Sequence, residues 1–329
     1  MGTFIARRLL QSVVVIIGVT LISFMALQVG GDPTYLFVSE RATPKEIELV
    51  RHALGFDRPL HVQYLTFIGN VLRGDFGTSL SYRQPAMDIV LGAFPATVEL
   101  ATFAFVIAIG LAIPLGVVAA LHRGTAVDGS ITILGLLGQS IPNFWMGIML
   151  ILFFGLYLRW FPISGQVPFL LPLLNGDIGT AFGNLPRTLY YLVMPGIAVA
   201  TYSLARNTRL VRSSMLEVLG QDYVRTARAK GLAESVVVVH HALRNAWLPV
   251  VTMIGLEFGF LLGGVVVTET VFSYPGIGRL LFNAINQRDI PLVQAGVILL
   301  AGNFIVLNTL VDLVYARIDP RVRLSRPRS

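Results

Sequence analysis

The fold class is decided by the run ATVELATFAFVIAIGLAIPLGVVAAL, residues Ala96–Leu121, which is almost uninterrupted in its apolar character. A helix of about 20 such residues is long enough to cross the roughly 30 Å hydrocarbon core of a bilayer. Five other apolar runs predict further transmembrane helices, which makes six in total. The six predicted spans are Leu9–Val29, Ala96–Leu121, Ile131–Leu158, Leu189–Ala205, Val250–Thr268 and Pro291–Tyr315.

The composition of the whole chain also predicts an all-α polytopic membrane protein. Hydrophobic residues make up 54% of the 329 residues and charged residues only 13%, and the mean hydropathy is +0.72. Soluble domains carry roughly 25% charged residues. The first apolar run is longer than the core of a signal peptide and no A-x-A site follows it, so we interpret it as a retained helix.

The distribution of Lys and Arg predicts that both termini lie in the cytoplasm. An even number of spans places both termini on one side, and that side carries fifteen of the 25 basic residues. The opposite side carries ten basic and ten acidic residues. Positively charged loops stay in the cytoplasm. We therefore expect a multi-pass protein of the inner membrane, and the net charge of +7 reflects topology rather than nucleic-acid binding.

The predicted spans divide the chain into four parts. These are an N-terminal helix (1–29), an external segment (30–95), a transmembrane domain of five helices (96–315) with a cytoplasmic loop at 206–249, and a cytoplasmic tail (316–329). In the external segment, Thr43 followed by Pro44 and Glu46 predicts the start of a capped helix.

Several spans contain residues that disturb a regular apolar helix. Proline at 114, 142 and 195 predicts kinks or free carbonyl groups, because proline has no backbone N–H to donate. Three glycines spaced four residues apart predict a face where another helix approaches closely. These glycines are Gly255, Gly259 and Gly263.

Polar side chains at membrane depth leave two interpretations open. They either form hydrogen bonds between helices or line a hydrated path for a solute. The candidates for such a path are Gln139, Ser140, Asn143, Glu257 and Asn303. Carboxylates inside a membrane are costly and often functional, but Glu257 also fits a structural pair.

Glu99 is a second carboxylate within a predicted span. It lies one turn after Pro95, near the predicted outer surface. Negative charge is favoured at the N-terminus of a helix. We therefore interpret Glu99 as a helix cap rather than as part of a proton relay.

A basic segment, DYVRTARAKGLAESVVVVHHALRNAWLP at Asp222–Pro249, separates the fourth and fifth spans. Gly220 is expected to end the preceding helix, Asp222 to cap the next one, and Gly231 to end it in a left-handed turn. The predicted helices are Tyr223–Lys230 and Glu234–Trp247. A surface helix on anionic lipid is one interpretation, but the apolar run Val236–Val239 favours a shaped contact with another protein.

This segment resembles the signature loop of ABC importer permeases, in the form found in the dipeptide, oligopeptide, nickel and glutathione group. The general loop begins Glu-Ala-Ala; here Arg225-Thr226-Ala227 stands in that place, and Gly231 keeps its position. The resemblance covers nearly the whole chain and fits the first permease subunit. Further matching motifs are Gly31-Asp32-Pro33, Asp57-Arg58-Pro59-Leu60, Gly74-Asp75-Phe76-Gly77, Pro142-Asn143-Phe144, Pro275-Gly276 and Asp319-Pro320-Arg321.

The resemblance implies the type I ABC importer fold and a set of partners. A second homologous permease would complete the pathway, two ATP-binding subunits would bind beneath, and an external solute-binding protein would deliver the solute. The loop would couple the permease to the ATPases. The implied coupling residues are Asp222, Tyr223, Arg225, Thr226, Ala227, Ala229, Lys230, Gly231, Arg244, Asn245 and Pro249.

The sequence contains no motif for catalysis, metal binding or nucleotide binding by this chain. It lacks G-x-x-x-x-G-K-[ST] and H-E-x-x-H. ATP and Mg²⁺ are therefore expected on the partner ATPases. An ATP-independent secondary carrier is the alternative, but it would leave the basic loop unexplained; a membrane-embedded enzyme lacks an evident nucleophile and base. A short peptide is the expected solute, with glutathione and nickel complexes as alternatives.

Overall fold

The computed structural model describes residues 2–29, 32–39 and 41–318, and these residues form an all-α fold in which no strand occurs. Most of the predicted tail lies outside them. The described α-helices are α1 (Gly2–Val29), α2 (Pro44–Leu54), α3 (Leu60–Leu72), α4 (Ala86–Leu121), α5 (Ala126–Ser140), α6 (Asn143–Leu150), α7 (Leu170–Leu174), α8 (Ile178–Leu219), α9 (Asp222–Ala229), α10 (Glu234–Val236), α11 (Arg244–Gly264), α12 (Val266–Val271), α13 (Ile277–Asn286) and α14 (Ile290–Ile318). A 3₁₀ turn covers Pro33–Leu36, and π-helical turns cover Ile151–Tyr157 and Val237–Leu243.

Three helices in the described ranges are long and apolar enough to cross a membrane: α4, α8 and the Ile290–Val311 part of α14. The α5–α6 pair adds a fourth crossing if it forms one span. The side chains described for α1 cover its apolar part at Leu10–Met25. The polytopic membrane class is therefore confirmed, whereas the count of six spans stays a prediction.

The predicted third span, Ile131–Leu158, is not one continuous helix. It breaks between Ser140 and Asn143, and the two halves are bent by 102°. Pro142 occupies the N-cap position of α6, and Ile141 before it has an extended backbone. The residue before a proline is sterically kept out of the helical region, which explains why α5 ends there.

Two other predicted limits differ from the structure. Helix α4 begins at Ala86 rather than Ala96, so Pro95 lies inside the helix instead of before it. Helix α8 begins at Ile178 rather than Leu189, whereas its continuation past Ala205 to Leu219, before Gly220, agrees with the prediction. The added turns are more polar than the apolar centre, which is why the apolar pattern did not include them.

The core of the membrane domain is the interface between α4 and α8. Small residues of α4 recur at every fourth position on one side, where Ala104, Ala108 and Ala112 are fully buried. Leu192 and Val199 of α8 belong to the same buried cluster as the first two of these alanines. Small side chains let two helix backbones approach closely, and this pair forms the scaffold for the other elements.

The segment between α1 and α4, predicted to be external, packs against the ends of the membrane helices. Helix α2 begins after the predicted capping residue Thr43, and the structure shows a full capping box in which Thr43 and Glu46 satisfy each other's backbone N–H groups. Tyr64 of α3 contacts Phe24 of α1 edge to face, with ring centroids 5.4 Å apart. The segment after α3 is held by Ser79, whose hydroxyl donates to the buried carboxylate of Asp289 at 2.5 Å.

Candidate functional site

The insert between α8 and α11 is an ordered two-layer structure rather than a loose loop. Helix α8 ends at Leu219, Gly220 follows as predicted, and α9 begins at Asp222. Val224 and Ala227 on one face of α9 are buried against Val237. This small apolar cluster fixes α9 against the π-helical turn that leads into α11.

Gly231 ends the first helix of the insert in the predicted left-handed turn. Its φ angle is 76°, and its N–H donates to the carbonyl of Arg228 at 2.9 Å. Glycine adopts this backbone without the steric penalty of a side chain. Asp222 is not the N-cap that we predicted. Gln221 holds that position, and Asp222 lies in the first turn, where its charge still favours the helix.

A bidentate ion pair joins the two layers of the insert. The guanidinium of Arg228 donates to Glu234 at 2.6 Å from Nη2 to Oε1 and at 3.1 Å from Nε to Oε2. The hydrogen bond raises the pKa of Arg228 and lowers the pKa of Glu234. Fork-shaped pairs of this kind set geometry as well as attraction, so α9 is held at a defined angle to α10.

The outer face of α9 is exposed and basic. Tyr223 is 41% exposed, and the side chain of Arg225 is 74% exposed. Of the predicted coupling residues in α9 and the turn after it, only Ala227 is buried. The others present one continuous surface to the solvent. They are Asp222, Tyr223, Arg225, Thr226, Ala229, Lys230 and Gly231.

The second predicted helix of the insert does not end at Trp247. The chain stays helical from Glu234 through the π turn and along α11 to Gly264. The reason is tertiary packing: one face of this helix enters a buried cluster with α4 and α8, through Val238, Ala242, Ala246 and Val250. Arg244 and Asn245 are exposed on the other side. Pro249 lies within α11, and its side chain is outside the described part of the chain.

Three of the five candidate path residues gather at the break between α5 and α6. Gln139 and Ser140 end α5, and Asn143 begins α6. The Ser140 hydroxyl donates to its own helix, at the Leu136 carbonyl. Asn303 is half-buried on α14, apart from this group. A role in a solute path stays a prediction for all of them.

Glu257 points into the helix packing of this chain. Its carboxylate accepts a hydrogen bond from Ser203 of α8 and lies 3.6 Å from Nη1 of Arg206. The side chain is 1% exposed. Such a paired, buried carboxylate fits the structural alternative, because a charge at this depth needs a partner.

The glycine row of α11 faces α14. A Cβ atom on Gly255 would collide with Val311, whereas one on Gly259 would lie 3.5 Å from the ring of Phe304, in ordinary contact. The side chain position of Gly263 is outside the described part. The close approach expected for this row is therefore tightest at Gly255.

Comparison with known proteins covers both parts of the chain. Residues 112–324 match the model of the family "binding-protein-dependent transport system inner membrane component", and residues 1–101 match the model of the N-terminal part of such membrane components. This chain belongs to that family. Family membership thus extends over the membrane domain and over the external segment as well.

Several curated relatives of this family member are similar over almost their whole length. The dipeptide transport system permease protein DppB of Escherichia coli (strain K12) is 43% identical, over 97% of this chain and 98% of the relative. The di/tripeptide transport system permease protein DppB of Pseudomonas aeruginosa (strain UCBPP-PA14) is 42% identical over 99% and 100%. The oligopeptide transport system permease protein AppB of Bacillus subtilis (strain 168) is 37% identical over 98% and 99%.

Sequence reasoning missed an ion pair between α5 and α8 of this family member. Arg212 of α8 donates to Asp128 of α5 at 2.6 Å from Nε to Oδ1 and at 2.8 Å from Nη2 to Oδ2. The second carboxylate oxygen also accepts the N–H of Gly124. The pair ties the start of α5 to the helix that leads into the insert. The sequence signal for this pair was a single acid, Asp128, on the same predicted side of the membrane as the basic loop at 206–249.

Glu99 caps a helix, but not the one that we expected. Because α4 starts at Ala86, Glu99 lies well inside it. Its Oε1 atom accepts the backbone N–H groups of Phe169 and Leu170, at the start of α7, at 2.9 and 2.5 Å. Its Oε2 atom accepts the amide of Gln166 at 2.7 Å. Glu99 therefore fastens the loop after the π turn to α4.

Proposed function

We propose that this chain is a permease subunit of an ATP-driven importer and forms half of the pathway for short peptides. The named relatives, which transport dipeptides, di/tripeptides or oligopeptides, support the solute class. The observation that carries the proposal is the ordered insert. It presents a basic, exposed face between two long helices, and a surface so built needs a protein partner.

The insert is proposed to transmit the movement of the ATPases to the membrane helices. Helix α9 packs against the end of α8 and against the turn that leads into α11. The Val224 cluster and the Arg228–Glu234 pair make these contacts. A force on its outer face would therefore move both helices as one body. Rigid-body movement of helix groups is a common way to switch a transporter between two states.

The complete importer is proposed to contain three kinds of component: permeases, ATPases and a binding protein. Two homologous permeases, of which this chain is one, would enclose the solute path. Two ATPase subunits would hold ATP and Mg²⁺ and contact the exposed face of α9. An external binding protein would deliver the peptide. Both termini of this chain would lie in the cytoplasm, in agreement with the excess of Lys and Arg on that side.

The coupling role can be tested with Gly231→Pro. Proline holds φ near −65°, which is incompatible with the left-handed turn at Gly231. We expect normal membrane insertion, but at least about a tenfold loss of peptide uptake per ATP hydrolysed in proteoliposomes, because coupling energies of 1–3 kcal/mol are typical. Normal ligand-stimulated uptake would contradict the role of the insert.

Gly176→Pro is the matched control for this variant. Gly176 follows α7 in a left-handed turn with φ of 81°, and its N–H donates to the carbonyl three residues earlier, as in Gly231. It lies on the side opposite to the insert in the proposed topology. We expect this variant to keep the ratio of uptake to ATP hydrolysis.

Purification of the chain from native membranes in mild detergent tests the proposed assembly. Mass spectrometry should identify a second permease and two ATPase subunits. A chain that remains alone and transports solute in vesicles without ATP would instead establish the secondary carrier.

A further inference from the structure

A cleft of about 870 Å³ lies between the external segment and the adjoining ends of α1 and α14. Phe24 of α1, Phe67 of α3 and Gln294 of α14 contribute to its walls. Its volume falls in the range of about 300–1,000 Å³ that small-molecule sites occupy. The proposed solute path does not include this space, because that path is expected at the interface with the second permease.

One part of the cleft wall is aromatic and is formed by five phenylalanines, whereas other lining residues are polar. Phe24 is 4% exposed and packs against Phe67, with ring centroids 6.0 Å apart. Phe37 and Phe56 pair on the external side at 5.8 Å. Phe76 completes the apolar lining. Such a surface suits a hydrocarbon chain better than a hydrated polar solute.

Two arginines, Arg58 and Arg83, line the same cleft. Neither makes an ion pair with another residue of the described ranges. Asp57, the neighbour of Arg58, pairs with His52 at 2.6 Å and attracts Arg58 only through space, without a hydrogen bond to its guanidinium. Asp75, the acid that lines the cleft, accepts the N–H of Gly77 at 2.9 Å. The two guanidinium groups are thus available to an anion, and arginine suits phosphate in particular.

The backbone around Arg83 is fixed to the membrane domain. Arg83 has a φ angle of 54°, and its N–H donates to the carbonyl of Ser79 at 3.0 Å. The Ser79 hydroxyl is held in turn by Asp289, just before α14. The position of this arginine relative to the end of α14 is therefore part of the fold.

The cleft opens where the membrane helices end. Helix α3 forms one of its walls and is apolar, yet Leu65 is 67% exposed and Leu72 is 82% exposed. Tyr64 ties the same helix to α1, with its hydroxyl 3.1 Å from that of Thr20. An apolar helix beside the end of a transmembrane helix lies at the boundary between headgroups and acyl chains. Phospholipid phosphates lie at this level.

We propose that this cleft binds one anionic phospholipid of the outer leaflet. Its phosphate lies beside Arg58 and Arg83, and an acyl chain lies among the phenylalanines. The lipid would join the external segment to the membrane domain. A loop of a partner protein is the competing occupant, and the test below separates the two.

The test uses the full chain, purified with its bound subunits and equilibrated with mixed phosphatidylglycerol and phosphatidylcholine. Native mass spectrometry then measures the lipid that is retained. We expect preferential retention of phosphatidylglycerol by the wild type. Each arginine near a lipid surface contributes about 1 kcal/mol, which is about fivefold in affinity. Arg58→Gln with Arg83→Gln should therefore lower retention about 25-fold, and the double Lys variant should keep most of it.

The matched control is Arg159→Gln with Arg187→Gln. These external arginines are exposed outside the cleft, and Arg159 has the same kind of backbone as Arg83, with φ of 56°. Equal lipid loss in the control pair, equal retention of both lipids, or unchanged retention in the Arg58 and Arg83 variant would each overturn the proposal. A photoreactive residue at Thr66 that crosslinks a partner protein and no lipid would also overturn it.

Discussion

Proline has different effects in two pairs of helices. One pair is α4 and α8, and the other is α5 and α6. Pro95 and Pro114 lie inside α4, Pro186 and Pro195 lie inside α8, and both helices continue through them. Pro142 separates α5 from α6 with a bend of 102°. Since proline removes a hydrogen bond and crowds the preceding turn in every case, the residue alone does not explain the difference.

The packing of each helix pair explains why proline bends one pair and not the other. Helices α4 and α8 bury long rows of small residues against each other, and Gly116 of α4 contacts Val211 of α8. Among the described residues of α5 and α6, only Asp128 and Gly147 are buried. Contacts along a whole helix can offset the hydrogen bond that a proline removes. Helices α5 and α6 contact α8, but few of their described residues are buried, so less packing offsets the hydrogen bond lost at Pro142.

The largest effect on stability is expected for Gly116→Leu, which disrupts the interface between α4 and α8. A Cβ atom at this position would lie 2.6 Å from the Cβ of Val211 and 2.8 Å from the carbonyl oxygen of Thr208. We expect a loss of about 3 kcal/mol or more in stability from overpacking, seen as a lower melting temperature in mild detergent. Gly110→Leu is the control on the same helix, because no atom lies within 4 Å of its Cβ position. Similar losses in both variants would contradict the α4–α8 interface.

A smaller effect is expected for Gly255→Leu, where α11 approaches α14. The obstacle is the side chain of Val311, which can move further than the backbone that Gly116 meets. We expect a loss of about 2 kcal/mol and weaker assembly in mild detergent. Gly259→Ala should change stability by less than about 0.5 kcal/mol, because its Cβ would meet Phe304 at an ordinary distance. A larger loss for Gly259→Ala than for Gly255→Leu would place the tight contact elsewhere.

Asp128→Asn is expected to loosen helices α5 and α6 without unfolding helices α4 and α8. Asparagine cannot replace the charge that holds Arg212, so α5 should lose its tie to α8. We expect faster hydrogen exchange along α5, a modestly lower melting temperature and unchanged exchange in α4. Asp222→Asn is the control, since the Asp222 side chain is 98% exposed. Equal exchange of α5 in both variants would show that the ion pair does not hold it.

The smallest effect on stability is expected for Pro142→Ala, which should change the angle between α5 and α6 instead. Restoring the N–H group allows the helix to continue, and the change in stability should stay below about 1 kcal/mol. Spin labels at Ile133 and Ile148, which are both exposed, would report the distance between α5 and α6 by double electron–electron resonance. Pro114→Ala should leave the course of α4 unchanged. An unchanged distance after Pro142→Ala would mean that packing, rather than proline, imposes the bend.

Local interactions explain why some helix starts and turns were predicted correctly from the sequence. The capping box of Thr43 and Glu46 and the left-handed turn at Gly231 depend on residues within a few positions of each other. The predicted cap at Asp222 failed by one position, because the helix could start there equally well with Gln221 before it. The predicted starts of α4 and α8 were wrong, because apolar runs report the membrane core and not the more polar first turns of a helix.

The sequence by itself determined the membrane class, the exposed basic insert and the turns that bound α9, since hydropathy and local backbone preferences act over short stretches. Only the tertiary structure decided that Glu99 caps α7, that Asp128 holds Arg212, and that Ser79 binds Asp289. These partners are 70, 84 and 210 positions apart. Their pairing depends on which helices pack together, because a buried polar group takes whichever partner the fold brings within reach.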